Sequence, residues 1–153
     1  MYRLASFGGQ FSVPEQLDAV FTADHYHELH NPGYAVDDKM ANVTKAIFLS
    51  LKPGGTYTVI DYAAAKGAAF AKTTTLQRTE ADSVKAEIMA AGFVLDGEST
   101  AFNVATDDLT FPLTDPDKTS RFALRFKKPA NASAETKRPG PRAMDGYYGN
   151  TEL

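Results

Sequence analysis

Ala46 to Tyr62 reads AIFLSLKPGGTYTVIDY, and its parts follow in the order helix end, turn, buried strand, acid. Pro53 has no backbone N–H and disfavours helical geometry at Lys52, so a helix arriving from the left must stop there. Gly54 and Gly55 supply the permissive backbone of a sharp reversal. Thr56 to Ile60 is rich in β-branched and aromatic residues, which suits a strand packed on both sides. A helix that turns back into a strand is half of a βαβ unit, so the expected fold class is α/β with a layered sheet.

Upstream, Met40, Val43, Ile47, Phe48 and Leu51 form one apolar stripe at helical spacing. Leu17 to Ala23, LDAVFTA, is a nearly continuous apolar run and reads as a parallel strand. Between them Asp24 to Asp37 is a loop at that strand's carboxyl end, broken at Asn31-Pro32-Gly33. Before them, Tyr2, Leu4 and Phe7 are compatible with a short strand over Met1 to Phe7, ended by Gly8-Gly9.

Downstream, Ala63 to Leu76 is a loop of Ala and Thr. Thr79 and Asp82 fit a capping box opening a helix to about Ala91, with Ala81, Val84 and Ile88 inward and Gly92 as its stop. Phe93 to Ala101 is the next strand, and Thr106 to Lys118 is a polar turn region. Arg121 to Lys127 alternates strictly, with Phe122, Leu124 and Phe126 on one face, as in a half-buried strand. From Pro129 the composition shifts to Pro, Gly, Ala and charge without periodicity, which predicts a disordered tail. The expected division is therefore one α/β domain over residues 1–128 and a tail over 129–153.

At 153 residues the chain is long enough for a core of its own. A net charge of −3 and a pI near 5.6 give no general attraction to nucleic acid or to an anionic membrane. The absence of cysteine excludes disulfides and thiolate metal sites. No apolar run approaches a membrane span, and MYRLASFGG lacks a signal-peptide layout, so the default location is cytoplasmic.

The phrase from the apolar helix through LKPGG to the apolar strand and Asp61 resembles the segment preceding the fifth strand of class I S-adenosylmethionine-dependent methyltransferases. The resemblance covers roughly Phe11 to Pro129. It is closest to a group of bacterial predicted methyltransferases, through PEQLDAVFTADHYHELHN, TLQRTEADSVKAEIMAAGF and SRFALRFKKP. It implies a truncated Rossmann-like methyltransferase sheet. The family's strand order is 3-2-1-4-5-7-6, and the segments here correspond to 4-5-7-6. The family's glycine-rich loop after its first strand, which holds the cofactor, has no counterpart in this sequence. The resemblance thus implies S-adenosylmethionine as cofactor with poor affinity, and an activity lost or repurposed. Relatives have a histidine where Gln77 stands.

All three histidines fall in ADHYHELHNPG, at a strand's carboxyl end where open α/β sheets bind ligands. Under the resemblance, Asp24, His25, Tyr26 and His27 are the catalytic candidates, orienting a small-molecule acceptor or removing its proton. Asp61, ending the central strand, is a weak cofactor-binding candidate. The competing reading is a metal site of His25, His27, His30 and Glu28, because H-x-H-x-x-H superficially resembles the ligand motif of metallo-β-lactamase-fold hydrolases. It implies zinc and a metal-dependent hydrolase of esters or lactones. A carboxylate set of Asp24, Glu28, Asp37 and Asp38 would suit calcium instead. The third reading is a non-enzymatic interaction module, with ordinary polar loop residues. Arg78 reads as a surface ion pair, and Arg121, Arg125, Lys127 and Lys128 as a solvated basic face. An unpaired edge at Leu17 to Ala23 would favour a homo-oligomer.

Overall fold

The computed structural model describes residues 13–32 and 40–132. Four strands form one sheet: β1 (Leu17–Ala23), β2 (Leu51–Tyr62), β3 (Val94–Ser99) and β4 (Arg121–Lys127). Their spatial order is β1-β2-β4-β3, which matches the 4-5-7-6 arrangement that the LKPGG resemblance implied. β1 and β2 are parallel, joined through helix α1 (Met40–Ser50); β4 runs antiparallel to both β2 and β3. Helix α2 (Thr73–Leu76) is a single turn, and α3 (Ala81–Ala90) precedes β3. Among the described residues no helix is long and apolar enough to cross a membrane.

The Pro-Gly-Gly segment lies inside β2 rather than before it. The register passes from Leu17↔Leu51 to Ala19↔Thr56, so β2 absorbs the extra residues as an irregularity. Gly54 sits at φ +80°, and a Cβ on Gly55 would lie 2.9 Å from the Lys52 carbonyl oxygen and 3.1 Å from that of Asp18. Both glycines are therefore required by the chain path. The end of α1 is closed from far away: Lys128 is buried, and its Nζ donates to the carbonyl oxygens of Phe48 (2.9 Å) and Leu51 (2.8 Å). Lys128 thus leaves the solvated basic face expected of it, since its ammonium satisfies carbonyls that a helix end cannot pair internally.

One face of the sheet carries the core. Val20, Tyr57 and Phe126 stand in register across three strands, as do Val59 and Leu124. Ile47, Phe48, Val84, Ile88 and Phe93 cover them from the helix side, and Phe93 meets Phe48 edge-on at 5.0 Å between ring centroids. The opposite face carries Phe21, Thr58 and Arg125 in register, and Phe21 is 59% exposed. Among the described residues β1 is thus an edge strand with one covered face, although its apolar run suggested a strand buried on both.

The capping box expected at Thr79 and Asp82 does not form. Glu80 is the residue at the helix start, and Thr79 Oγ1 is buried without a partner among the described residues. Glu80 instead turns back, accepting from the N–H groups of Gly67 and Ala69 (2.9 Å each) and from Ser83 Oγ. Those amide donors hold its carboxyl below the ordinary glutamate value. Residues 129–132 belong to the described fold, and Ala132 packs against the core. The rest of the expected tail and the expected strand over Met1 to Phe7 lie outside the described residues.

Candidate functional site

The carboxyl ends of β1 and β2 lie side by side, and four polar residues are fastened there. β1 ends where Asp24 takes a left-handed backbone (φ 55°), a conformation aspartate tolerates better than most side chains. Its N–H donates to the Ile60 carbonyl of β2 at 2.9 Å. Its carboxylate Oδ1 accepts from Arg121 Nε at 2.9 Å, a contact spanning 97 residues. Arg121 also donates from Nη2 to the Tyr62 hydroxyl (3.1 Å), and its guanidinium lies 4.6 Å from the Tyr62 ring centroid. Partial burial would lower the Arg121 pKa, but the hydrogen bonds to Tyr62 and Asp24 outweigh it and raise it.

His25 follows, its side chain 72% exposed, with Nδ1 3.0 Å from Glu28 Oε2. Tyr26 and His27 turn the other way. Tyr26 is fully buried in the core, and its hydroxyl donates to Glu87 Oε2 at 2.6 Å. Burial, followed by the nearby Tyr57 and Glu87, pushes the Tyr26 phenol well above its ordinary value. His27 is buried and faces Asp61, with its backbone N–H donating to Oδ2 (2.6 Å) and Nδ1 lying 2.9 Å from Oδ1. Asp61 also accepts from the Tyr62 N–H at 2.9 Å, and it is 0% exposed. The chain then makes a 3-10 turn over His27–His30, where His30 Nε2 lies 3.0 Å from Glu87 Oε2 and the imidazole stacks on Phe70 at 3.6 Å.

Of the residues expected at this end, Asp24 and His25 therefore reach the surface, whereas Tyr26, His27 and Asp61 are interior. In this structure Tyr26 and His27 present almost no surface. Their hydrogen bonds hold the loop on which Asp24 and His25 stand. Asp61, already accepting three bonds, acts as the clamp of that loop.

The same geometry does not assemble the expected metal cluster among the described residues. His25, His27 and His30 each face a different carboxylate (Glu28, Asp61 and Glu87), so they do not converge on one point. Among the described residues no group of three or more metal-ligating side chains could hold an ion. Glu28 is occupied with His25, and Asp37 and Asp38 of the calcium alternative lie outside the described residues.

Arg78 is a second correction. It is buried, and its guanidinium grips Asp107 through Nη1 (2.8 Å) and Nη2 (2.9 Å). Nε donates to the Phe111 carbonyl, and Nη1 also to that of Ala63, both at 2.8 Å. The pair pins the polar segment after β3 across the carboxyl end of β2. Nothing in the local pattern around Arg78 or Asp107 signals it. Arg121 was also missed as a site residue, since its strand alternation assigns it only to a solvated face.

Comparisons with solved structures agree with this architecture. The fold is similar to the N-methyltransferase NodS from Bradyrhizobium japonicum WM9, at a TM-score of 0.52 and 16% identity over 78% of this chain and 55% of that one. It is also similar to an S-adenosylmethionine-dependent methyltransferase from Mesorhizobium loti, at a TM-score of 0.51 and 9% identity over 81% of this chain and 67% of that one. No protein-family model matches the sequence, and no curated protein does. The chain thus has a methyltransferase-like α/β fold and spans 55% of the length of the first of these structures.

A cofactor-holding loop needs permissive backbone beyond the carboxyl end of a strand, which draws attention to the glycines of the described residues. Those with left-handed backbone are Gly54, at the start of β2; Gly67, bonded to Glu80; and Gly92, against Phe48 after α3. Of these, Gly67 lies in the loop that follows β2. Asp61, the acid that ends β2, has its acceptor capacity turned inward.

Proposed function

We propose that the carboxyl ends of β1 and β2 form the acceptor-side wall of a methyl-transfer site for a small molecule, and that this chain alone holds S-adenosylmethionine weakly. The observation that supports the reading is the placement of Asp24. Its partly exposed carboxylate stands at the end of β1 on a left-handed backbone, secured by Ile60 on one side and Arg121 on the other. Backbone held in a sparsely populated region, at a cost of about 1–3 kcal/mol, is concentrated at binding sites. Arg121 uses Oδ1, and among the described residues Oδ2 is left for an acceptor's N–H or O–H. The neighbouring His25 imidazole, 72% exposed, is a second basic group at this end that could take a proton from an acceptor. His27, Tyr26 and Asp61 act as positioning residues.

The test is an amide-resolved NMR titration of the full chain with S-adenosylmethionine, paired with calorimetry. Millimolar cofactor is expected to move the resonances of Asp24, His25 and Tyr62 and to leave β3 unmoved, with calorimetry showing no saturable binding in the micromolar range. Micromolar one-to-one binding would overturn the weak-cofactor reading. Shifts confined to another part of the sheet would overturn the location.

A further inference from the structure

We propose that β1 is a homodimer interface, in which two copies of this chain pair antiparallel about Val20 so that Ala19 of each lies opposite the partner's Phe21. The inference is independent of the methyl-transfer reading and begins from the direction of the backbone groups. Asp24 donates its N–H to Ile60 on β2. Along a strand, successive residues point their N–H and C=O to alternate sides. Thr22, Val20 and Asp18 therefore face β2, and Ala19, Phe21 and Ala23 present theirs to the open side. Among the described residues β1 has no second neighbour.

The two edges of the sheet differ in how they are guarded. β3 carries Asp96, paired with Arg125 (2.7 Å), and Glu98, paired with Lys85 (3.1 Å). Charge of this kind on an edge strand discourages pairing with another chain. β1 carries one acid, Asp18, paired with Lys52 (2.7 Å) near its start; from Ala19 to Ala23 it carries no charge and exposes Phe21.

A two-fold axis makes such an interface self-complementary, and only registers that bring two outward residues together form hydrogen-bonded pairs. With Phe21 opposite the partner's Phe21, Asp18 would meet the partner's Asp24 twice, a like-charge opposition that destabilises a sheet. With Ala19 opposite the partner's Ala19, the overlap of the two strands shrinks to Leu17–Phe21. With Ala19 opposite the partner's Phe21, all seven residues overlap, each large ring sits beside a small side chain, and Asp18 faces the hydroxyl of the partner's Thr22. The last register satisfies the most groups without a charge conflict.

Size-exclusion chromatography with light scattering on the full chain is expected to give twice the 16.6 kDa of one chain. Phe21→Lys, at a position already exposed to solvent, is expected to return the mass to that of one chain with an unchanged circular dichroism spectrum. The absence of cysteine allows the register to be read directly. Ala19→Cys and Phe21→Cys proteins, prepared separately, mixed and oxidised, are expected to cross-link to each other more readily than Phe21→Cys cross-links to itself. A monomer at every concentration, as would follow if residues 1–12 covered the edge, would overturn the proposal. So would preferential self-linking of Phe21→Cys, or a dimer that survives Phe21→Lys.

Discussion

Replacing Arg78 by alanine should destabilise the protein by about 3–5 kcal/mol, the range for leaving one member of a buried ion pair unpartnered. The pair is nearly dry, with side chains 3% and 6% exposed, and two parallel bonds join it. Loss of the guanidinium would leave Asp107 with only the N–H groups of Ser120 and Leu109, and would strip donors from the Ala63 and Phe111 carbonyls. Asp107→Ala should fall in the same range, because it leaves a buried cation. The double variant should cost less than the two single costs together, since each single loss already breaks the shared bonds. A protein of this size has about 5–15 kcal/mol in total, so either single change removes a large share. The assay is urea unfolding followed by circular dichroism and tyrosine emission. Burial alone would raise the Asp107 carboxyl, but the Arg78 bonds and the backbone donors outweigh it and lower its pKa. A carboxyl lowered in the folded state contributes stability that is fully present above its unfolded value of about 3.9 and is lost as pH falls through the folded value. Wild type should therefore lose stability in that acid window, and Asp107→Ala should lose less there. Single costs below about 1 kcal/mol, in the range of a surface pair, or strict additivity would refute the coupling.

Three further outcomes are expected. Asp61→Asn should cost about 2–3 kcal/mol, since an amide cannot accept from all three donors, and hydrogen exchange at residues 25–30 should quicken; unchanged exchange would show that the loop is held otherwise. Burial, and secondarily Lys45, lowers the Lys128 pKa; the unfolded chain then binds more protons between the folded and unfolded values, so wild-type stability should rise with pH as it climbs toward 10.5, and Lys128→Met should remove that rise. Gly55→Ala should cost about 1–3 kcal/mol in thermal or urea unfolding, because its methyl group meets two backbone carbonyls; a neutral effect would mean that the turn gives way freely.

Local patterns made much of the sheet legible. Pro53 with its two glycines signalled a helix followed by a strand, though the strand begins before them at Leu51, and the alternation of Phe122, Leu124 and Phe126 gave the inward face of β4. The strand order came through the LKPGG resemblance. The site was half legible. Asp24 and His25 lie where the loop after β1 predicted, but Tyr26 and His27 are interior because Glu87 and Asp61 supply partners from other elements. Those partners lie 61 and 34 residues away, beyond the reach of any local pattern. Arg78–Asp107 and Asp24–Arg121 were hidden for the same reason. A charged residue in a polar stretch looks solvated until its counterion is found.

The Lys128 ammonium that closes α1 also sets a schedule for synthesis. The carbonyl it caps on Phe48 precedes it by 80 residues, and among the described residues β3 pairs with β4 alone. A ribosome adding 5–20 residues each second needs roughly 4–16 s from Phe48 to Lys128, and β2 and β3 are both made within that time. Until β4 is made, β2 has β1 but lacks its other neighbour, and β3 lacks the strand it pairs with. The nascent chain is then most exposed to chaperones and to misassembly, and one late strand converts the waiting parts into a closed core.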